Sequence, residues 1–144
     1  MEARKPRHHS MPMTCKDKLE RVFSGEIRQS IRRGERYQEG DTLTIFEWTE
    51  KPYRSKWGRR LDEKVKVVFP ILVTNAGVGV FNDSVVKNGL VRGTVVPWTS
   101  DYLESLARMD GVKPANGMRL RKVLLEMHPD MDLGNGEVFQ VVRW

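Results

Sequence analysis

Between Glu63 and Thr74 the chain reads EKVKVVFPILVT, an apolar run rich in β-branched residues. Such a run marks a strand at the centre of a sheet, where both faces are covered and the usual polar alternation disappears. A chain that holds it must build a sheet and place everything else around it. Pro70 interrupts the run; with no N–H to give to a ladder, it marks a bulge or an exit at an edge. At 144 residues the chain can enclose one core but not comfortably two. Its longest apolar runs, Val65 to Val73 and Val123 to Met127, are too short to span a bilayer, so no membrane partner is expected.

Shorter signals place the other elements. Met11 to Thr14 reads as a first strand and Cys15 to Phe23 as a helix, with Thr14 as its cap and Leu19, Val22 and Phe23 on one face. Ser24-Gly25 ends it, since glycine takes the left-handed conformation without a Cβ penalty. Gln29 to Arg33 alternates Ser30 and Arg32 against Ile31, the period of a half-buried strand. After the Glu39-Gly40-Asp41 turn, Thr42 to Thr49 sets Leu43, Ile45 and Glu47 against Thr44, Phe46 and Trp48, again a strand. Val78 to Phe81, Ser84 to Lys87 and Leu90 to Val96 read as short strands, the last two joined by an Asn88-Gly89 hairpin turn.

Thr99-Ser100-Asp101 caps a helix reaching Arg108, with Tyr102, Leu103 and Leu106 inward and Asp110-Gly111 as its stop. A second late helix, Ala115 to Met127, carries an apolar stripe of Met118, Leu120, Val123, Leu124 and Met127. Glu137 to Trp144 alternates as a closing strand. This order predicts an α+β chain, a small mixed β-barrel flanked by helices, over residues 11–144. Residues 1–10 are basic, contain Pro6 and lack the apolar segment of a secretory signal; they are expected to form a flexible arm.

Hydrophobic residues make up 39% and charged residues 31% of the sequence, which excludes disorder over most of its length. The formal net charge of +6 favours polyanionic partners. Cys15 is the single cysteine, so there is no internal disulfide and no thiolate cluster for zinc, which suits a reducing, cytoplasmic setting. His8, His9 and His128 do not form the spaced pair of a metal site. Gly77-Val78-Gly79 and Gly134-Asn135-Gly136 lack the strand-to-helix setting of a phosphate loop. Neither a metal nor a cofactor is expected.

Positive charge concentrates in two stretches. Phe23 to Asp41, FSGEIRQSIRRGERYQEGD, holds Arg28, Arg32, Arg33 and Arg36, with Arg21 just before it. Arginine keeps its proton in proteins, so these are anion-holding groups rather than acid/base catalysts. Glu26, Glu35 and Glu39 are interspersed, and the competing reading is a solvated, internally paired turn. Lys51 to Arg60, KPYRSKWGRR, reads as an exposed loop in which Tyr53 and Trp57 alternate with Arg54, Lys56, Arg59 and Arg60. Cations neutralise phosphates and an aromatic face stacks a splayed base, so this loop suits single-stranded RNA. Alternatively Tyr53 and Trp57 fold back as a lid. Trp48, Trp98 and Trp144 sit at element boundaries and read as core plugs.

Gly25-Glu26-Ile27-Arg28-Gln29-Ser30-Ile31-Arg32 leaves a helix and leads through Gly40-Asp41 into a strand. This resembles the ASCH domain family of the PUA-like superfamily: a glycine after the first helix, a basic residue, a Thr/Ser-x-Arg strand and a Gly-Asp turn. The likeness runs from about Met11 to the C terminus, including a late helix ending at His128-Pro129 and a final strand. The resemblance implies a β-barrel with a cleft beside the first helix and a role in RNA binding.

Some small bacterial members are amidohydrolases acting on acetylated cytidine through a lysine, a threonine and a carboxylate. Their threonine falls on Ser30 and the arginine two beyond it on Arg32, but their lysine falls on Ile27, which cannot accept a proton. If this chain is an enzyme, Ser30 is the nucleophile, Lys56 the replacement base, and Asp110, or else Glu104, the carboxylate. The leading expectation is nucleic-acid binding by Arg28, Ser30, Arg32, Arg33, Tyr53, Arg54, Lys56, Trp57, Arg59 and Arg60.

Overall fold

The structure, a computed structural model, describes residues 4–13, 16–48, 57–79 and 95–144. In chain order its elements are β1 (His8–Pro12), α1 (Lys16–Phe23), β2 (Gln29–Arg33), β3 (Thr42–Trp48), β4 (Trp57–Lys64) and β5 (Val67–Val73). They continue with β6 (Gly77–Gly79), β7 (Val95–Pro97), α2 (Asp101–Met109), α3 (Gly117–Met127) and β8 (Glu137–Arg143). The α+β class read from the sequence is what is observed. The strands form two sheets, β1-β3-β4 and β2-β8-β5-β6-β7, and among the described residues the ladders do not close into a barrel. Every pairing is antiparallel except β1 with β3.

The five-stranded sheet is a wall between two cores. From β5, Phe69, Ile71 and Val73 enter a core shared with Leu103, Leu106, Leu120 and Leu124 of α2 and α3. Its neighbour Val68 faces the opposite way, with Leu19, Val22, Leu43, Ile45 and Trp144, into a core beneath α1 and the smaller sheet. β8 divides in the same way, Phe139 and Val141 on one side and Val142 on the other. Burial on both faces is why these strands read as continuous apolar runs. Pro70 is tolerated inside β5 because β6 reaches only Leu72 and Val73, leaving Pro70 paired on one side only among the described residues.

Four sequence expectations change. The Glu63 to Thr74 run is not one strand: β4 ends at Lys64 and β5 starts at Val67 in the other sheet. Residues 57–60 are not loop but the start of β4. The stripe on α3 is narrower than its periodicity suggests, since Met118 and Met127 are more than half exposed while Leu120 and Leu124 are buried. The span read as a flexible arm, residues 1–10, contains the first three residues of β1, and Arg4, Arg7 and His9 converge on Asp41. The Asn88-Gly89 hairpin lies outside the described residues.

Asp41 is fully buried. Arg4 donates to both its oxygens at 2.9 and 2.7 Å, the Arg7 N–H donates at 3.0 Å, His9 Nε2 lies at 2.7 Å and the Gln38 N–H donates at 3.1 Å. Burial pushes this carboxyl up, but the bonds from Arg4, Arg7, His9 and Gln38 outweigh it and hold the group well below the usual carboxylate range. A carboxylate depressed in this way stabilises the fold fully above its unfolded pKa of about 4, and the contribution is lost as pH falls towards the folded value. Asp41→Asn should therefore cost about 3 kcal/mol in urea unfolding at neutral pH. The gap from the parent protein should narrow below about pH 4; a gap unchanged through the acid range would assign the loss to packing instead of charge.

Candidate nucleic-acid interface

A cleft of about 400 Å³ opens along the free edge of β2. β2 is the end strand of its sheet, because the strand preceding it in sequence, β1, joins the other sheet. It is lined by Pro12 and Met13 at the end of β1, Lys18 from α1, Asp110 to Lys113, and residues of α3 between Arg119 and Met127. Ser30, Ile31 and Arg32 form its floor.

The polar groups are held in place. Arg32 Nε donates to Ser30 Oγ at 2.9 Å and its Nη2 donates to the Pro12 carbonyl at 3.0 Å, so the guanidinium bridges β2 to the end of β1. Lys18 Nζ lies 3.1 Å from Asp110 Oδ2. Gln29, 1% exposed, donates to the Leu106 carbonyl at 3.2 Å and to Asp110 Oδ1 at 3.4 Å, and its Oε1 accepts from Arg143 Nε at 2.9 Å. Gly111, at φ 81°, turns the chain out of α2, and a side chain there would run into Ile27 Cδ1. Around the cleft, Lys18, Arg32, Lys113 and Arg119 outnumber Asp110 and Glu126, and Val112, Leu120, Val123, Leu124 and Met127 give an apolar wall.

Of the residues singled out from the sequence, this cleft brings together Ser30, Arg32 and Asp110. The others lie elsewhere. Arg28 is exposed, 3.9 Å from Glu63. Arg33 is held by Asp130 and Glu137, whose carboxyls it keeps below their usual range through hydrogen bonds. Glu104 pairs with Arg108 one turn along α2. Arg59 is taken up by Glu20 and Glu47 and lies over the Phe23 ring at 4.8 Å; its hydrogen bonds lower both carboxyls. Arg60 is exposed on β4. Trp57 opens β4 opposite Trp48. Tyr53, Arg54 and Lys56 lie outside the described residues.

Lys18, Lys113 and Arg119 were not singled out by sequence. They sit on three different segments, and Lys18 and Arg119 read there as the ordinary polar faces of helices. The available signal was Lys18 on the polar face of a helix whose apolar face holds Leu19 and Val22. Among the described residues no group of three or more His, Cys, Asp or Glu could hold a metal ion, and no helix is long and apolar enough to cross a membrane.

No protein-family model, curated protein or solved structure matches this chain.

Gln29 links the cleft to the sheet, which gives a direct test. Gln29→Leu keeps the volume but removes these partners from the Leu106 carbonyl, Asp110 and Arg143. It should cost about 2 kcal/mol in urea unfolding, the penalty of buried polar groups left unpaired. A loss below about 0.5 kcal/mol would mean that other groups take over those contacts.

Proposed function

We propose that the protein is a nucleic-acid-binding module of the ASCH type, built as an open PUA-like barrel, and that its ligand is single-stranded RNA. The observation that carries this reading is the cleft at the β2 edge. There the Ser-x-Arg pair of the Gly25 to Arg32 motif meets Lys113 and Arg119 over an apolar wall, in a volume suited to about one nucleotide. Cations at the rim neutralise phosphates, and the apolar wall accepts a base taken out of its stack. Arg33 and Arg59 are excluded from the ligand-binding set because carboxylates already occupy them.

Fluorescence anisotropy with a labelled RNA heptamer tests this. Affinity should fall with salt on a log–log slope of roughly −2, as expected for about three phosphates. Arg32→Ala and the exposed Lys113→Ala should each weaken binding by about fivefold or more, whereas Arg33→Ala and Arg59→Ala should stay within about twofold. Equal losses for all four would reduce the effect to net charge and discard the cleft.

A second reading rests on the Lys18–Asp110 pair sharing the cleft with Ser30. A hydroxyl, a lysine and a carboxylate are the residue types that the family resemblance links to hydrolysis of acetylated cytidine, here with Lys18 in the position of the base instead of Lys56. Incubation with N4-acetylcytidine should then release acetate, and Ser30→Ala should abolish the release. Absence of turnover, or turnover that survives Ser30→Ala, removes this reading.

A further inference from the structure

β2 and β8 pair antiparallel, with Gln29 opposite Arg143 and Arg33 opposite Phe139. In such a ladder, residues alternate between exchanging hydrogen bonds with the partner strand and turning both backbone groups away from it. Two contacts identify which residues do which. Gly34 N–H donates to the Val138 carbonyl at 2.9 Å, and Trp144 N–H donates to the Arg28 carbonyl at 3.1 Å. Arg28, Ser30, Arg32 and Gly34 are therefore the bonded set. The N–H and C=O of Ile31 face the opposite way, to the open edge.

Ile31 lines the cleft between Ser30 and Arg32. Its side chain belongs to the helix-side core and the residue is only 5% exposed. Neither of its backbone groups has a hydrogen-bond partner among the described residues. A buried backbone pair left in this state is costly and calls for an outside partner. The N–H and C=O of one extended residue point the same way, as a donor beside an acceptor. That is the complement of a nucleobase pairing edge, which sets a ring nitrogen beside an exocyclic amino group or carbonyl.

We infer that the cleft reads the pairing edge of an unpaired base through the main chain of Ile31, with phosphates left to the rim cations. The inference rests on the reading of the cleft as an RNA site and deepens it by naming the recognised feature. Met13, which packs in the core beneath α1, and Val123, which packs against the helix-side core, both line the cleft and supply apolar surface for the two faces of a flat ring. Bases already paired in a duplex have no free edge to offer and are rejected. Ser30 and Arg32, whose side chains project from the same stretch, are left for sugar and phosphate.

The test uses both partners of the contact. Heptamers of uridine, cytidine and adenosine are compared by anisotropy with uncharged, edge-blocked counterparts: N3-methyluridine, N4,N4-dimethylcytidine and N6,N6-dimethyladenosine. The tightest-binding heptamer should lose about tenfold when blocked. On the protein side, Ile31 is replaced by its α-hydroxy acid, which turns the outward N–H into an ester oxygen and keeps the side chain; the Ser30 carbonyl becomes a weaker acceptor for β8, so urea unfolding of the variant is measured alongside. This variant should bind the unblocked heptamer about fivefold more weakly and the blocked one nearly as well as the parent does.

Losses of less than about twofold on blocking, or an ester variant that binds unchanged, overturn the main-chain readout while leaving RNA binding intact. If no heptamer binds with the expected salt dependence, the RNA reading itself fails and this inference falls with it.

Discussion

The charge on Asp41 is the constraint on which the rest of the molecule depends. Removing a carboxylate from water is expensive unless donors surround it, and the partners here come from both ends of a long excursion: Arg4 and Arg7 before β1, His9 within it, and Gln38 before β3. Satisfying that charge lays the N-terminal span beside β3 in parallel register, from His8 opposite Thr42 to Pro12 opposite Phe46. The same turn fastens the crossover between sheets, through Val65 N–H to the Asp41 carbonyl at 2.8 Å and Gly40 N–H to the Val65 carbonyl at 2.9 Å. The Asp41 side chain thus sets β1 and the β2–β3 turn, and the backbone of the same turn fixes the passage from β4 to β5. Pro12 and Met13, which form one wall of the cleft, are in place because β1 is.

That arrangement has a consequence for β2. An exposed strand edge is a liability that folds usually cover. By pairing with β3, β1 leaves β2 at the end of the larger sheet. What covers β2 instead is a rim of α1, the α2–α3 connection and α3, held at a distance by Lys18–Asp110 and by Gln29. The space between rim and edge is the cleft. It follows from how the strands are shared between two sheets, and it places backbone polar groups where a ligand can use them.

The sequence carried the local part of this well. The apolar runs of β5 and β8, the capped start of α2 at Ser100 and the period of β2 and β3 are each written in a few adjacent residues. Three features were not legible, and for one physical reason: each depends on contacts distant in sequence. The break at Val65–Lys66 is set by Asp41 and Gly40, more than twenty residues earlier. The N-terminal span reads as polar and unstructured until its arginine and histidine find a buried acid. Met118 and Met127 fit a helical stripe by spacing, yet α3 buries only the part of it that meets α2 and the sheet.

The candidate site shows the same division in its charges. Counting arginines in Phe23 to Asp41 leads to β2, where Ser30 and Arg32 belong both to the motif and to the cleft. It overstates how much charge is available. Arg33 in that stretch, and Arg59 in the second basic stretch, spend theirs on Asp130, Glu137, Glu20 and Glu47, acids distant in sequence that no local pattern pairs with them. The cleft recovers positive potential from Lys113 and Arg119, which lie six residues apart in the sequence and meet Ser30 and Arg32 only in the fold, while Lys18 is paired with Asp110. The potential at the cleft is set by which cations the fold leaves unneutralised, and not by how many the chain contains. The backbone groups that Ile31 turns to the β2 edge add a feature with no sequence signature at all.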